Sequence, residues 1–356
     1  MAVLTEEQTM LRDMAREWAD NESPVAAFRR MRDEKHAEGY DADAWKAQAE
    51  MGWAGVLIPE EFGGVGMGHL SLGLVVEQLG RNLAATPLSA TSAAASAILL
   101  GGSDAQKTEW LPRIASGELV ATVAFGEGPS FDPAKVATTA GDGGITGAKA
   151  FVAEGDGAGL FVVSATDGVY LVPDGAGVTR SHRALVDARS HAEVRFDGAA
   201  AELLSADPKL AGQVTDRAAA LAAAEMLGLA EAAFGITNDY LKTRVQFGQL
   251  LSSFQALQHR MAKMFTELEL MRSAVEGALE AIDANRSDVD QAVSLAKAIA
   301  GDTAKLVSRE MVQLHGGIGM TDEHDAGFFL KRSAVLEAMW GNAAWHRERF
   351  ARLNGY

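Results

Sequence analysis

Cysteine is absent from all 356 residues, which excludes disulfides, thiol catalysis and cysteine-ligated iron–sulfur clusters. Basic charge is also in deficit: 32 Lys and Arg face 48 Asp and Glu, a formal net charge of −16. That balance excludes a broadly basic surface for nucleic acid, while leaving room for a local basic pocket that takes a phosphorylated ligand. No run of roughly 18 apolar residues is present, so no membrane span is expected. The opening Met1-Ala-Val-Leu-Thr-Glu-Glu-Gln reads as an acidic helix start and lacks the basic and apolar regions of a signal peptide. The expected location is the cytoplasm. The eight histidines are scattered without metal-ligand spacing, no Ser/His/Asp triad can be assembled, and there is neither an internal repeat nor a low-complexity tail. What remains is 48% hydrophobic and long enough for a substantial core divided among two or three subdomains.

The grammar of the chain changes twice. Residues 1–118 read as an N-terminal helical domain: Thr5 is a candidate N-cap before an acidic first turn, and helices are expected over Ser71–Arg81, Ser89–Leu100 and Asp104–Ser116. Between them, Pro59 and Gly63-Gly64 punctuate a loop within Met51–Met67. Residues 119–206 turn to short β-rich runs (Val120–Phe125, Ala148–Ala153, Leu160–Ala165, Val169–Val172) separated by Gly/Asp clusters such as Gly141-Asp-Gly-Gly144. This is the pattern of a small antiparallel barrel or sandwich. Residues 207–356 return to helix in four long segments, near Gln213–Lys242, Ser252–Asn285, Ser287–Leu314 and Asp325–Leu353, the signature of a four-helix bundle. The first is alanine-rich at Arg217–Glu225, which favours close helix packing. The fold class is thus mainly α with a central β domain.

Two stretches carry chemistry. Arg244-Val-Gln-Phe-Gly-Gln-Leu-Leu-Ser-Ser-Phe-Gln255 opens with a cation and leads into an apolar-periodic helix, with Phe254, Leu257, Met261, Met264, Phe265, Leu268 and Met271 on one expected buried face. Downstream, Gln313-Leu-His-Gly-Gly-Ile-Gly319 places three glycines in four positions, which lets a ligand approach the backbone or lets the chain turn sharply. An arginine and exposed backbone donors suit a pyrophosphate dianion, so a nucleotide-like ligand among helices is suggested.

These two stretches, with Met51–Met67, resemble the signatures of the acyl-CoA dehydrogenase family, and the resemblance extends over nearly the whole chain. It implies an FAD-dependent enzyme that desaturates an acyl-CoA thioester between Cα and Cβ and passes electrons to an electron-transferring flavoprotein. It also implies that Arg244, Gln246, Phe247, Gln255, Gln313, Gly316 and Gly317 contact FAD bound against a neighbouring subunit.

Departures from the family pattern are as informative. The glutamate that commonly serves as the α-proton base falls, by count from Gly317, on Trp340, and the accompanying threonine falls on Asn342. An indole cannot abstract a proton. The alternative glutamate position of some members falls on Ala218, and an adjoining substrate-site arginine on Ala219; Asp216 and Arg217 replace them only if the register shifts. Glu225 and Glu231 on the same segment read as interhelical or surface charges. The flavin-facing loop is Phe125-Gly-Glu-Gly-Pro-Ser-Phe-Asp132, in which only Glu127 and Asp132 retain counterparts, and the adjacent Phe151-Val152-Ala153 lacks the usual hydroxyl. No catalytic role is assigned to His315.

The chain therefore keeps the groups given to a neighbour and has lost those used for itself. That pattern resembles the smaller, non-catalytic subunits of heterotetrameric acyl-CoA dehydrogenases that act on steroid side chains, bile acids or dicarboxylates, and it implies a homologous catalytic partner; the sequence does not say which acyl group, fatty, dicarboxylic or steroid side chain, is the substrate. The alternatives are a self-sufficient homotetramer whose relocated base is Asp216, and a non-catalytic scaffold.

Overall fold

A computed structural model describes residues 3–34, 38–141 and 144–356, which fall into two compact units. One is built from the described residues of Phe28–Leu72 and Ala85–Ala218; the other from residues 3–27, Gly73–Ala84 and Ala219–Tyr356. Helices α2 (Val25–Glu34), α4 (Gly68–Arg81) and α7 (Leu210–Thr243) contribute residues to both.

In the first unit, α3 (Ala42–Glu50) begins where the Asp41 carboxylate accepts the amides of Asp43 and Ala44. α5 (Leu88–Gly101) is buried almost along its length, from Leu88 through Ile98. α6 (Asp104–Ala115) starts with a capping box between Ser103 and Gln106, which satisfies two otherwise orphaned amides. The strands are β1 (Ala121–Ala124), β2 (Thr139–Gly141), β3 (Gly144–Ala153), β4 (Leu160–Ala165), β5 (Gly168–Pro173), β6 (Val178–His182), β7 (His191–Ala199) and β8 (Glu202–Ser205). They form two open four-stranded sheets, ordered β1-β4-β5-β8 and β2-β3-β7-β6, whose inward residues share one core around Ile145, Phe161, Val163 and Phe196. Phe161 and Phe196 meet edge to face across it, with centroids 5.9 Å apart.

Two expectations are corrected here. The sheets do not close into a barrel, and they are not wholly antiparallel: β1 and β4 run parallel, from Ala121 opposite Leu160 to Ala124 opposite Val163. The reason is connectivity. After β1 the chain crosses to the other sheet for β2 and β3 before returning at β4, and a crossover of that kind can place strands parallel where a hairpin cannot. Asp142 and Gly143, in the expected turn, lie outside the described residues.

In the second unit, α1 (Glu6–Glu22) starts with a capping box between Thr5 and Gln8. α7 is followed by a short hairpin, β9 (Val245–Gln246) and β10 (Gln249–Leu250), and then by α8 (Gln255–Asp283), α9 (Val289–His315), α10 (Ala326–Ala338) and α11 (Ala343–Leu353). The fourth helical segment expected over Asp325–Leu353 is thus two helices broken at 339–342. α7 is long and apolar enough to cross a membrane by length and composition, which the absence of an uninterrupted apolar run concealed, yet 72% of that window is buried inside the protein. Its packing against α4 is close. A Cβ on Gly228 would lie 1.8 Å from the Glu77 carbonyl oxygen, and one on Gly80 would lie 2.5 Å from that of Glu225.

The expected buried face of α8 is also corrected. Met264, Leu268 and Met271 are buried, but Phe265 is 54% exposed and Phe254, Leu257 and Met261 are only partly covered. The first turns of α8 carry apolar residues that their own chain leaves partly uncovered.

Candidate active site

Four chain segments meet at one end of the second unit: the C-terminus of α7, the β9–β10 hairpin, the start of α8 and the end of α9. Phe247 touches Phe254 edge on, with ring centroids 6.2 Å apart, tying the hairpin to α8. Tyr240 near the end of α7 stacks on His315 at the end of α9, 4.3 Å between centroids, and its hydroxyl donates to the His315 carbonyl over 3.3 Å. His315 is buried; its Nδ1 faces the Met311 carbonyl at 2.7 Å, and burial, then the nearby His324 charge against that hydrogen bond, leaves its pKa below the ordinary value. It is a packing residue of this corner.

The seven residues expected to bind cofactor are all exposed here. Phe247 (φ +54) and Gly248 (φ +79) make the hairpin turn, both left-handed, as a two-residue turn between twisted strands demands. The turn lifts Phe247 to 88% exposure. Arg244 precedes the hairpin; its amide bonds to the Tyr240 carbonyl, and its guanidinium makes no ion pair among the described residues. Gln246 and Gln249 are paired across the hairpin. Gln255 is the first residue of α8, whose N-terminus has no side-chain cap and so presents free amides and the positive end of a 29-residue helix. Gln313 is exposed one turn from the end of α9, and a Cβ on either Gly316 or Gly317 would meet nothing within 4 Å. An unpaired cation, uncapped helix amides and open glycine backbone are what a pyrophosphate dianion requires. These residues fit that part of FAD.

The position expected to hold the proton-abstracting base is different. Trp340 lies in the break between α10 and α11 with φ +58, followed by Gly341 at φ +94. Asn342 serves the fold, its side chain capping α11 by accepting the Trp345 amide at 2.8 Å. Two residues that sequence reasoning missed build this break. Lys297 on α9 is wholly buried, and its ammonium donates to the carbonyls of Leu336 (3.0 Å), Glu337 (3.1 Å) and Gly341 (2.9 Å). Burial pushes this ammonium down to about 7, against the attraction of Glu337. His346 on α11 is also buried, and its Nε2 lies 2.9 Å from the Trp340 carbonyl, which fixes the proton on that nitrogen. Burial, reinforced by the Lys297 charge, takes its pKa down to about 3.

No other carboxylate stands ready among those the sequence singled out. Asp216 is buried in α7 and engaged with a partner of its own. Glu225 is gripped by Arg332 of α10 through Nε at 2.7 Å and Nη2 at 3.0 Å, and Glu231 pairs with Arg81 at 3.3 Å and with Arg272. Ala218 and Ala219 are buried.

In the other unit, the loop after β1 is anchored rather than open. Glu127 accepts from Lys149 Nζ at 2.6 Å, from the Thr138 hydroxyl at 2.7 Å and from the amides of Ala137 and Thr138 at 2.6 and 3.1 Å. Burial alone would raise the Glu127 pKa; these four bonds outweigh it and bring it to about 2. Lys149, which the sequence did not single out, is fully buried and also donates to Ser164 Oγ at 3.0 Å. Asp132 pairs with Lys135 at 3.2 Å. A register shift between Lys149 and Val152 leaves Phe151 at φ +51 and 44% exposed, a bulge that re-aims an aromatic ring. Ala153 offers no hydroxyl, and its carbonyl accepts from Thr122 Oγ1 at 2.6 Å.

Comparison with known proteins gives one consistent answer. The family model described as acyl-CoA dehydrogenase, N-terminal domain, matches residues 5–118, and that described as acyl-CoA dehydrogenase, C-terminal domain, matches residues 209–353. The chain is 33% identical over 352 residues to acyl-CoA dehydrogenase IpdE2 of Mycolicibacterium smegmatis, covering 98% of both proteins. It is 32% identical to acyl-CoA dehydrogenase FadE34 of Mycobacterium tuberculosis, covering 98% of this chain but 48% of that protein. Among solved structures, a variant of the Tcur3481-Tcur3483 steroid ACAD superposes with a TM-score of 0.92 at 31% identity, covering 98% of each chain.

Proposed function

The chain belongs to the acyl-CoA dehydrogenase family, and from that premise we propose that it is a flavoprotein subunit lending FAD-binding groups to a homologous catalytic partner. The observation that carries the proposal is an asymmetry. Arg244, Gln246, Phe247, Gln255, Gln313, Gly316 and Gly317 face outward, with Arg244 unpaired among the described residues, while the position for the base holds Trp340. Outward-facing groups are of use to a second chain.

In this reading helices α7–α11 form the family's four-helix bundle, with α10 and α11 together as the fourth rod. Arg244 and the open turn at Gly316-Gly317 bind the pyrophosphate of FAD, and the hairpin orients it through Phe247. When bound, FAD accepts the hydride leaving Cβ of the acyl group. The partner supplies the carboxylate that removes the α-proton, because Trp340 has no proton-accepting atom to offer. The product is the trans-2-enoyl-CoA, and the electrons pass on to an electron-transferring flavoprotein in the cytoplasm. Support for a two-chain assembly, a heterotetramer in this reading, comes from the relatives: one similar structure pairs two named chains, and FadE34 is about twice the length of the stretch it shares with this chain. A self-sufficient enzyme would need Asp216 as base, and Asp216 is buried and occupied.

The test is Arg244→Ala in the complex co-expressed with its partner. A charged hydrogen bond to phosphate is worth about 1.5–3 kcal/mol, so FAD affinity should fall by roughly 10- to 100-fold. Unchanged flavin content in the variant complex would refute the assignment.

A further inference from the structure

The break at position 340 is held by buried polar groups drawn from three helices. The last carbonyls of any helix lack intrahelical partners, and at α10 two of them, Leu336 and Glu337, are taken by the Lys297 ammonium. The third hydrogen of the same ammonium reaches the Gly341 carbonyl, on the far side of the break. Three donors meet three acceptors, so the buried cation is saturated. It also sits at the negative end of α10, where a positive charge is stabilised. The break is closed from other directions as well. The Glu337 side chain accepts the Ala343 amide at 3.2 Å, and His346 Nε2 donates to the Trp340 carbonyl at 2.9 Å. One turn along α9 from Lys297, Gly301 allows the close approach: a Cβ there would lie 3.2 Å from Glu337 Cγ and 3.3 Å from Ala343 Cβ. Gly341 cannot be replaced without strain, since φ is +94 and a Cβ would lie 2.6 Å from the Trp345 ring.

We infer that Lys297 is a positioning residue for position 340: it holds the α10–α11 break in one geometry and thereby fixes where the side chain at 340 emerges. The functional consequence rests on the reading of position 340 given above. The break is thus a platform that gives the half-buried indole at 340 one fixed direction.

The experiment is amide hydrogen exchange on the full chain, comparing Lys297→Met and Trp340→Ala with the unaltered protein. Lys297→Met keeps the apolar length of the side chain and removes all three donors. Exchange at residues 339–343 should rise at least tenfold, while the amides of α8 and of the β sheets keep their protection. A rise spread evenly over the chain would mean that Lys297 is merely a stability residue, and an unchanged break would mean that it holds nothing; either overturns the inference. Trp340→Ala decides the matter even if Lys297→Met does not fold. Its break should exchange within twofold of the unaltered protein, and loosening comparable to a tenfold rise would show that the indole, not the lysine, sets the geometry. Failure of the flavin reading would show as unchanged flavin content in Arg244→Ala and leaves these exchange patterns unaffected, so the two can fail separately.

Discussion

Replacing Lys149 by methionine should destabilise the β-containing unit more than any loop substitution nearby. The Lys149 side chain is 0% exposed and its partner Glu127 13%, so the pair is cut off from solvent rather than a surface ion pair. Removing one member of such a pair costs about 3–5 kcal/mol, because the other charge is left without its counterion. Glu127 would still accept from the Thr138 hydroxyl and two amides, and methionine fills most of the vacated volume, so the lower end, about 3 kcal/mol, is expected. In urea, with a slope of roughly 1–3 kcal/mol per molar, the midpoint of the β-unit transition should fall by about 1 M or more. The clamp also sets an acid limit. The Glu127 pKa in the folded chain, about 2, lies below its ordinary 4.5, so its stabilisation is present above pH 4.5 and is lost as pH falls from 4.5 through 2. Lys149→Met should shrink that acid-sensitive share. Urea titrations at pH 7 and pH 4 on both proteins, followed by circular dichroism, provide the measurement. A loss below about 1 kcal/mol at pH 7 would refute the claim that this ion pair is buried and coupled.

Further outcomes follow from the other unit. Gly228→Ala should cost about 3 kcal/mol in urea unfolding, because its Cβ would meet a backbone oxygen of α4 at 1.8 Å that cannot move aside alone; a neutral substitution would refute the close crossing. His346, with a folded pKa near 3 against 6.5 unfolded, binds its proton only in the unfolded chain over that interval. Stability should therefore drop as pH falls from 6.5 to 3, and His346→Gln, which keeps an N–H for the Trp340 carbonyl, should flatten the drop in an acid titration.

Much of this was legible in the sequence because periodicity and punctuation are local properties. The run Leu160–Ala165 reads as a strand and is β4, and the alanine-rich run Arg217–Glu225 signals the close helix packing seen where Gly80 approaches the Glu225 carbonyl. What could not be read depends on partners distant in sequence. The parallel pairing of β1 with β4 follows from where the intervening strands cross, which no local pattern encodes. The break after α10 carries no proline, and only Gly341 hints at it. Lys149 and Lys297 are lysines inside apolar-periodic segments, a signal visible in sequence yet silent about what each ammonium binds. The apolar periodicity of α8 was real, but a face apolar by sequence need not be covered by its own chain, as Phe265 demonstrates. At the candidate site the outward-facing set around Arg244 was named from its motif, whereas the Lys297 and His346 scaffold beneath Trp340 required coordinates.

The central claim is that this chain holds the flavin-binding half of a shared site without the base. Its most direct test is the visible absorption spectrum of the chain purified alone, recorded before and after acyl-CoA is added. Little flavin, or a flavin band that substrate never bleaches, is the predicted result. A stoichiometric band that bleaches with an acyl-CoA would contradict it, and would mean that a carboxylate of this chain removes the α-proton after all.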